Sequence, residues 1–147
     1  SDEDLKDYII GKFETTGVSP SQLQFEVTET AAIRHFDRAM DLIHALKDLG
    51  CYFSLDDFGS GLSSLGYLKE LPVDYLKIDG SFIRTMELNE VGYSMVSTIN
   101  HLGHIMGIAT IAECVENSTQ LSMLQEIGVD YAQGFLIARP KPLVQLS

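Results

Sequence analysis

Five short apolar runs, each ending in a polar or charged residue and separated by stretches of helical period, constrain this chain more than any other feature. The runs are 23–28, 52–56, 75–78, 108–112 and 130–133. Between them Phe36, Met40, Ile43, Leu46 and Leu49 recur at helical spacing up to Gly50, and Val91 to Met106 reads as a longer helix. Asn117, with Gln120 three residues on, resembles a capping box opening a helix that ends at Gly128. A further helix is expected from Asp4 to Thr15, with Leu5, Tyr8, Ile9 and Phe13 on one side, and a short helical turn runs to Glu70. Strand–helix units in series imply parallel strands covered by helices, in a doubly wound sheet or a (β/α)8 barrel. Periodicity does not choose between them. The polar strand ends favour the barrel: Glu26, Asp56 with Asp57, Lys77 with Asp79, Glu113 and Gln133 would gather on the carboxyl-terminal face, where barrel enzymes keep their chemistry.

Composition narrows the classes of function. The 147 residues, 45% of them hydrophobic, suit one core rather than two domains. Lys and Arg number 10 against 21 Asp and Glu, a net charge of -11, so no footprint for polymeric nucleic acid is expected. Cys51 and Cys114 have no CxxC spacing, so neither a disulfide framework nor a zinc site is indicated, and a reducing cytosol fits best. The acidic start Ser1-Asp2-Glu3-Asp4 is unlike a signal peptide, and no apolar stretch approaches the ~20 residues of a membrane span. No membrane contact is expected of this chain; an anchor, if the parent protein has one, lies outside it.

Adjacent Asp56 and Asp57 are the sharpest local feature. Alone, such a pair is more often a loop cap beside a solvated acid. Glu26 and Glu113 at the ends of two other strands shift the balance, because carboxylates that converge repel unless a cation or proton neutralises them. Oxygen ligands of this kind select hard ions such as Mg2+, Mn2+ or Ca2+. Lys77 either balances these acids and meets an anionic substrate or forms a structural ion pair with Asp79 or Glu113. Gly59-Ser60-Gly61 reads as ordinary turn chemistry unless context makes it a phosphate cradle. His35, His44, His101 and His104 lie in or beside helices and read as surface or packing residues.

Glu26-Val27-Thr28-Glu29, Leu55 to Leu65 with its Asp-Asp-Phe-Gly-Ser-Gly core, Leu76-Lys77-Ile78-Asp79, Ala112-Glu113-Cys114-Val115-Glu116 and Gln133-Gly134-Phe135 resemble, in order, the motifs of EAL domains. The likeness covers nearly the whole chain, and five ordered motifs are far more specific than one. It implies a (β/α)8 TIM-barrel-like fold of which residues 1–147 are the last five β/α units. It also implies hydrolysis of cyclic di-GMP to linear pGpG with two divalent ions, Mg2+ or Mn2+, with Ca2+ inhibitory.

Carried over by motif, Glu26, Asp56, Asp57 and Glu113 are metal ligands, with Asp56 bridging. Lys77 orients the attacking water and the phosphate, Glu113 also positions water, and Gln133 and Asp79 lie towards the substrate. Glu29 holds the loop of Phe58, Gly59, Ser60, Gly61, Ser63 and Ser64, and with Glu116 belongs to the regulatory surroundings. Leu62 and Cys114 depart from common family residues at positions that are not ligands. The larger departure is that the Glu-Ala-Leu signature strand and the Asn of the next strand precede the first motif present. The resemblance therefore implies an incomplete barrel, inactive in isolation, whose open edges favour a homodimer or strand-exchanged oligomer. In a complete parent, often fused to GGDEF or sensory domains in the bacterial cytoplasm, it implies an active enzyme. The competing reading is a degenerate EAL module that binds cyclic di-GMP or a protein without catalysis.

Overall fold

The computed structural model describes residues 2–59, 65–134 and 137–142, and the side chains of these except 2–6, 65, 68 and 137–142. The chain opens with α1 (Asp2–Thr16) and a 3₁₀ turn at Pro20–Gln22, then β1 (Gln24–Thr28), α2 (Glu29–Arg34), α3 (Phe36–Asp48) and β2 (Tyr52–Phe58). A 3₁₀ segment, Leu65–Glu70, precedes β3 (Tyr75–Ile78), α4 (Gly80–Leu88), α5 (Glu90–Ile105), β4 (Ala109–Val115), α6 (Ser118–Ile127), β5 (Tyr131–Gly134) and β6 (Ile137–Pro142). The sheet runs β1-β2-β3-β4-β5-β6 in sequence order, with the first five strands parallel and β6 antiparallel to β5. The five expected strands are all present. The antiparallel β6 was not foreseen, and it covers the edge of β5 that the sequence left open.

Alternation along each strand sorts the side chains. On one face Phe53 and Leu55 of β2, Leu76 and Ile78 of β3, and Ala112 and Ala132 of β4 and β5 are buried in a single core with Ile43 and Leu46 of α3, Ile83 and Met86 of α4, Val96 of α5 and Leu124 of α6. Each large aliphatic side chain so buried contributes about 1.5–3 kcal/mol through apolar area removed from water. The other face carries Tyr52, Tyr75 and Tyr131 near the strand starts, with ring centroids 6.5 Å and 6.1 Å apart along the row. Two residues further along those three strands lie Ser54, Lys77 and Gln133. Tyr8 of α1 departs from its expected inward face: it is 62% exposed, with the Lys12 ammonium 5.4 Å from its ring, while Ile9 is buried.

Register is fixed at the strand starts by two matching clamps. Asp74, just before β3, accepts the Phe53 amide at 2.8 Å and the Lys47 ammonium at 2.8 Å. Asp130, just before β5, accepts the Thr110 amide at 2.9 Å and stands 2.7 Å from His104 Nε2. Gly50 and Gly107, at φ 99° and 75°, make the left-handed turns from α3 into β2 and from α5 into β4. A one-residue slip would turn every side chain to the wrong face, so these clamps decide which residues reach the opposite end. Among the described residues no helix is long and apolar enough to cross a membrane.

Candidate functional site

Beyond the clamps, β2 and β4 depart from regular pairing in the same way. Leu55 pairs with Leu76 and Phe58 with Ile78, so Asp56 and Asp57 together oppose Lys77. In β4, Ala112 pairs with Ala132 and Val115 with Gly134, so Glu113 and Cys114 together oppose Gln133. The second residue of each bulge is left-handed, Asp57 at φ 53° and Cys114 at φ 56°, and no other described residue except glycine has a positive φ. A bulge re-aims side chains that regular alternation would send to opposite faces. Here it delivers two successive acids, Asp56 and Asp57, to one place. Gly134 is required where pairing resumes past the second bulge, because a Cβ there would overlap the Val115 carbonyl.

The result is a cluster in which carboxylate oxygens of Asp56, Asp57 and Glu113 all lie within 4.8 Å of one another. Asp56 Oδ1 also accepts the Asp57 amide at 3.0 Å. Burial pushes the Glu113 carboxyl up to about 9, aided by a hydrogen bond to Asp56 and by the charges of Asp56 and Asp57. Burial, then the Asp56 charge, raises Asp57, while its hydrogen bond with Glu113 pulls the other way. Both Glu113 and Asp57 are raised, as expected of crowded carboxylates, which hold a proton when no cation is bound. Three convergent half-buried oxygen donors fit a hard divalent ion.

The remaining residues fall around this cluster. Glu26 stays outside it; its carboxylate pairs with the ammonium of Lys77, which is 6% exposed and reaches across β2 to β1. Glu26 and Asp56 nonetheless share one end of the sheet, since Glu26 pairs with Ser54 and Thr28 with Asp56. Asp79 caps α4, accepting the Ser81 amide at 3.2 Å and the Ser81 hydroxyl, and its charge also bears on Asp57. Gln133 presents a buried Oε1 with no partner among the described residues. Glu29 is fully buried and accepts the Gly59 amide at 2.6 Å, which holds the strand end beyond Phe58, itself 1% exposed. Glu116 is exposed. Ser60, Gly61, Ser63, Ser64 and Phe135 lie outside the described residues. The sequence reading missed both bulges and the Glu26 partner of Lys77; the available signal was the break in alternation at Asp56-Asp57 and at Glu113-Cys114.

The EAL domain family profile matches residues 1–140. The chain belongs to the EAL domain family. It is 45% identical over 141 residues to the cyclic di-GMP phosphodiesterase PdeB of Shewanella oneidensis, covering 96% of this chain and 16% of that protein. The PaMucR phosphodiesterase in complex with c-di-GMP aligns at a TM-score of 0.85 and 38% identity, over 96% of this chain and 57% of that one. Klebsiella pneumoniae BlrP1, with manganese and c-di-GMP, aligns at 0.84 and 31%, over 95% and 36%. This EAL chain thus spans about 16% of the length of curated relatives it matches. Its five parallel strands have the fold of TIM-barrel-like EAL domains, of which it covers a part.

Proposed function

We propose that this chain supplies the carboxylate side of a metal-dependent site that hydrolyses cyclic di-GMP to linear pGpG. The observation that carries the reading is the convergence of Asp56, Asp57 and Glu113 oxygens within 4.8 Å, beside a buried lysine. Relatives named as cyclic di-GMP phosphodiesterases, and a related structure holding manganese with that dinucleotide, support it. Asp56, Asp57 and Glu113 would hold the divalent ions, Mg2+ or Mn2+, with Glu26 as a further ligand on the same rim. Bound ions of this kind activate water and neutralise charge developing on phosphate oxygens. Lys77 orients the phosphate and the incoming water; Gln133, whose carbonyl has no partner among the described residues, and Asp79 meet the nucleotide. Water adds to one phosphorus, one phosphorus–oxygen ester bond breaks, and the departing ribose oxygen takes up a proton.

The matched region covers 57% of the MucR structure, and the rest of such a barrel fits along the edge of β1, which has no strand beyond it among the described residues. On this reading, residues 1–147 alone turn over cyclic di-GMP negligibly and associate through that edge. The test is hydrolysis by the full-length protein with Mn2+, alongside Asp56→Asn. Formation of pGpG that is lost in the variant supports the reading. Retention of most activity in the variant sinks it, and tight binding of cyclic di-GMP without product in the parent would favour a non-catalytic module.

A further inference from the structure

The backbone amide two residues beyond each left-handed position is held by a buried side chain from a helix. At the end of β2 it is Gly59, whose amide donates to Glu29 Oε2 at 2.6 Å; at the end of β4 it is Glu116, whose amide donates to Gln120 Oε1 at 2.8 Å. Glu29 is 0% exposed and Gln120 2%. We infer that Gln120 is a positioning residue for the carboxylate cluster, holding Glu113 through the end of β4 as Glu29 holds the aspartates through the end of β2. The inference rests on the metal reading above.

Asn117 and Gln120 have the spacing of a capping box, but only half of one forms. The Asn117 side chain accepts the Gln120 amide at 2.8 Å, which caps α6. A full box would return the Gln120 side chain to the Asn117 amide. Instead it reaches one residue further back, to the amide just past the strand, so its oxygen ties down the end of β4 rather than finishing the helix. Its nitrogen donates to Glu87 Oε2 of α4 at 3.1 Å, and Glu87 also accepts Asn117 Nδ2 at 3.2 Å. One buried amide thereby joins α4, α6 and the end of β4.

That tie matters because of what lies just before it. A left-handed residue other than glycine costs about 1–2 kcal/mol, and Cys114 keeps that conformation only while its surroundings hold it. If the Glu116 amide is released, Cys114 can relax towards extended backbone, the bulge is lost, and Glu113 turns away from Asp56 and Asp57.

The test uses Mn2+ alone as the probe, titrated by electron paramagnetic resonance into the full-length protein, with far-ultraviolet circular dichroism on every variant. Gln120→Met is expected to keep the fold and weaken Mn2+ binding about tenfold, the scale of losing a partner that orients a ligand. Gln120→Glu sets a carboxylate against Glu87 and should also weaken binding; adding Glu87→Gln restores the donor–acceptor pair and should restore the affinity. A purely structural role would move the melting temperature but not the Mn2+ affinity of the folded chain. If Gln120→Met binds Mn2+ as tightly as the parent while Asp56→Asn does not bind, the inference falls and the metal reading stands. If Asp56→Asn also binds like the parent, the metal reading falls. Should Gln120→Met fail to fold, the paired substitution decides: recovery supports the inference, and affinity no better than Gln120→Glu alone overturns it.

Discussion

The ends of β2 and β4 share a backbone and differ in chemistry. In both, a carboxylate is followed by a left-handed residue, and both bulges set two residues against one on the next strand. In β2 the left-handed residue is Asp57, a second acid, and the residue opposite is the cation Lys77. In β4 it is Cys114, an exposed thiol, and the residue opposite is the neutral amide Gln133. Two acids face a charge and one acid faces a dipole. The first bulge position delivers a carboxylate to the cluster in both strands, while the second is where the two ends differ in charge.

The largest expected effect separates those positions. Asp56→Asn removes the carboxylate that hydrogen-bonds Glu113 and whose charge bears on Asp57, and Mn2+ affinity should drop by more than the about 10–100-fold typical of losing an outer partner. Cys114→Ser, at the second position of β4, should leave Mn2+ affinity unchanged. Calorimetric titration of both variants checks this, and equal losses would break the distinction between first and second positions.

The protonation of Glu113 gives the next effect. Its carboxyl rises from 4.5 to about 9 in the folded chain, so between those values the folded state holds a proton that the unfolded state has released. Folding stability without metal therefore falls as pH rises through that window. A cation must displace the proton, so Mn2+ affinity should rise up to about tenfold per pH unit below 9. Glu113→Gln should flatten both dependences. A Mn2+ affinity independent of pH in the parent chain would contradict the account.

A third test addresses the glycine that pairs just past the β4 bulge. Gly134→Ala drives a methyl group into the Val115 carbonyl, backbone that cannot swing aside, and should destabilise by about 1–3 kcal/mol or more. Denaturant unfolding checks it. Loss of Mn2+ binding alongside stability would show that the β4 bulge and the cluster form one unit.

The contrast also marks where the sequence was legible. The five parallel strands and four of the helices follow from periodicity, because each buries one face. Strands β2 and β4 were read as ending at Asp56 and Ala112, whereas they run to Phe58 and Val115. A bulge breaks the alternation that identifies a strand, so a strand continuing through one resembles its own end. The periodicity does not show helix α4, which Asp79 caps. Strand β6 was missed because Pro140 and Pro142 argue against a strand in the interior of a sheet, and it lies at the edge, where proline is tolerated. Lys77 was weighed against Asp79 and Glu113, its neighbours in motif order. Its partner is Glu26, two strands away, a contact that only the folded register creates.

The smallest expected effect concerns the strain itself. Cys114 is left-handed at φ 56°, and its Cβ and Sγ occupy the space that a Cβ on Gly80 would need, both 2.8 Å from it. Cys114→Gly removes the steric cost of that conformation, about 1–2 kcal/mol, and gives back part of it through the greater freedom of an unfolded glycine, about 0.5–1 kcal/mol. A net gain of about 0.5–1 kcal/mol in unfolding free energy should follow, with the Mn2+ affinity of the folded chain unchanged. Asp57→Gly relieves the same backbone strain in β2 but deletes a carboxylate of the cluster, so any gain in stability should come with weaker Mn2+ binding. Parallel denaturant and Mn2+ titrations of the two variants separate backbone from charge. If Cys114→Gly weakens Mn2+ binding as much as Asp57→Gly does, the left-handed position of β4 holds the cluster through its side chain, and the two strand ends are chemically alike after all.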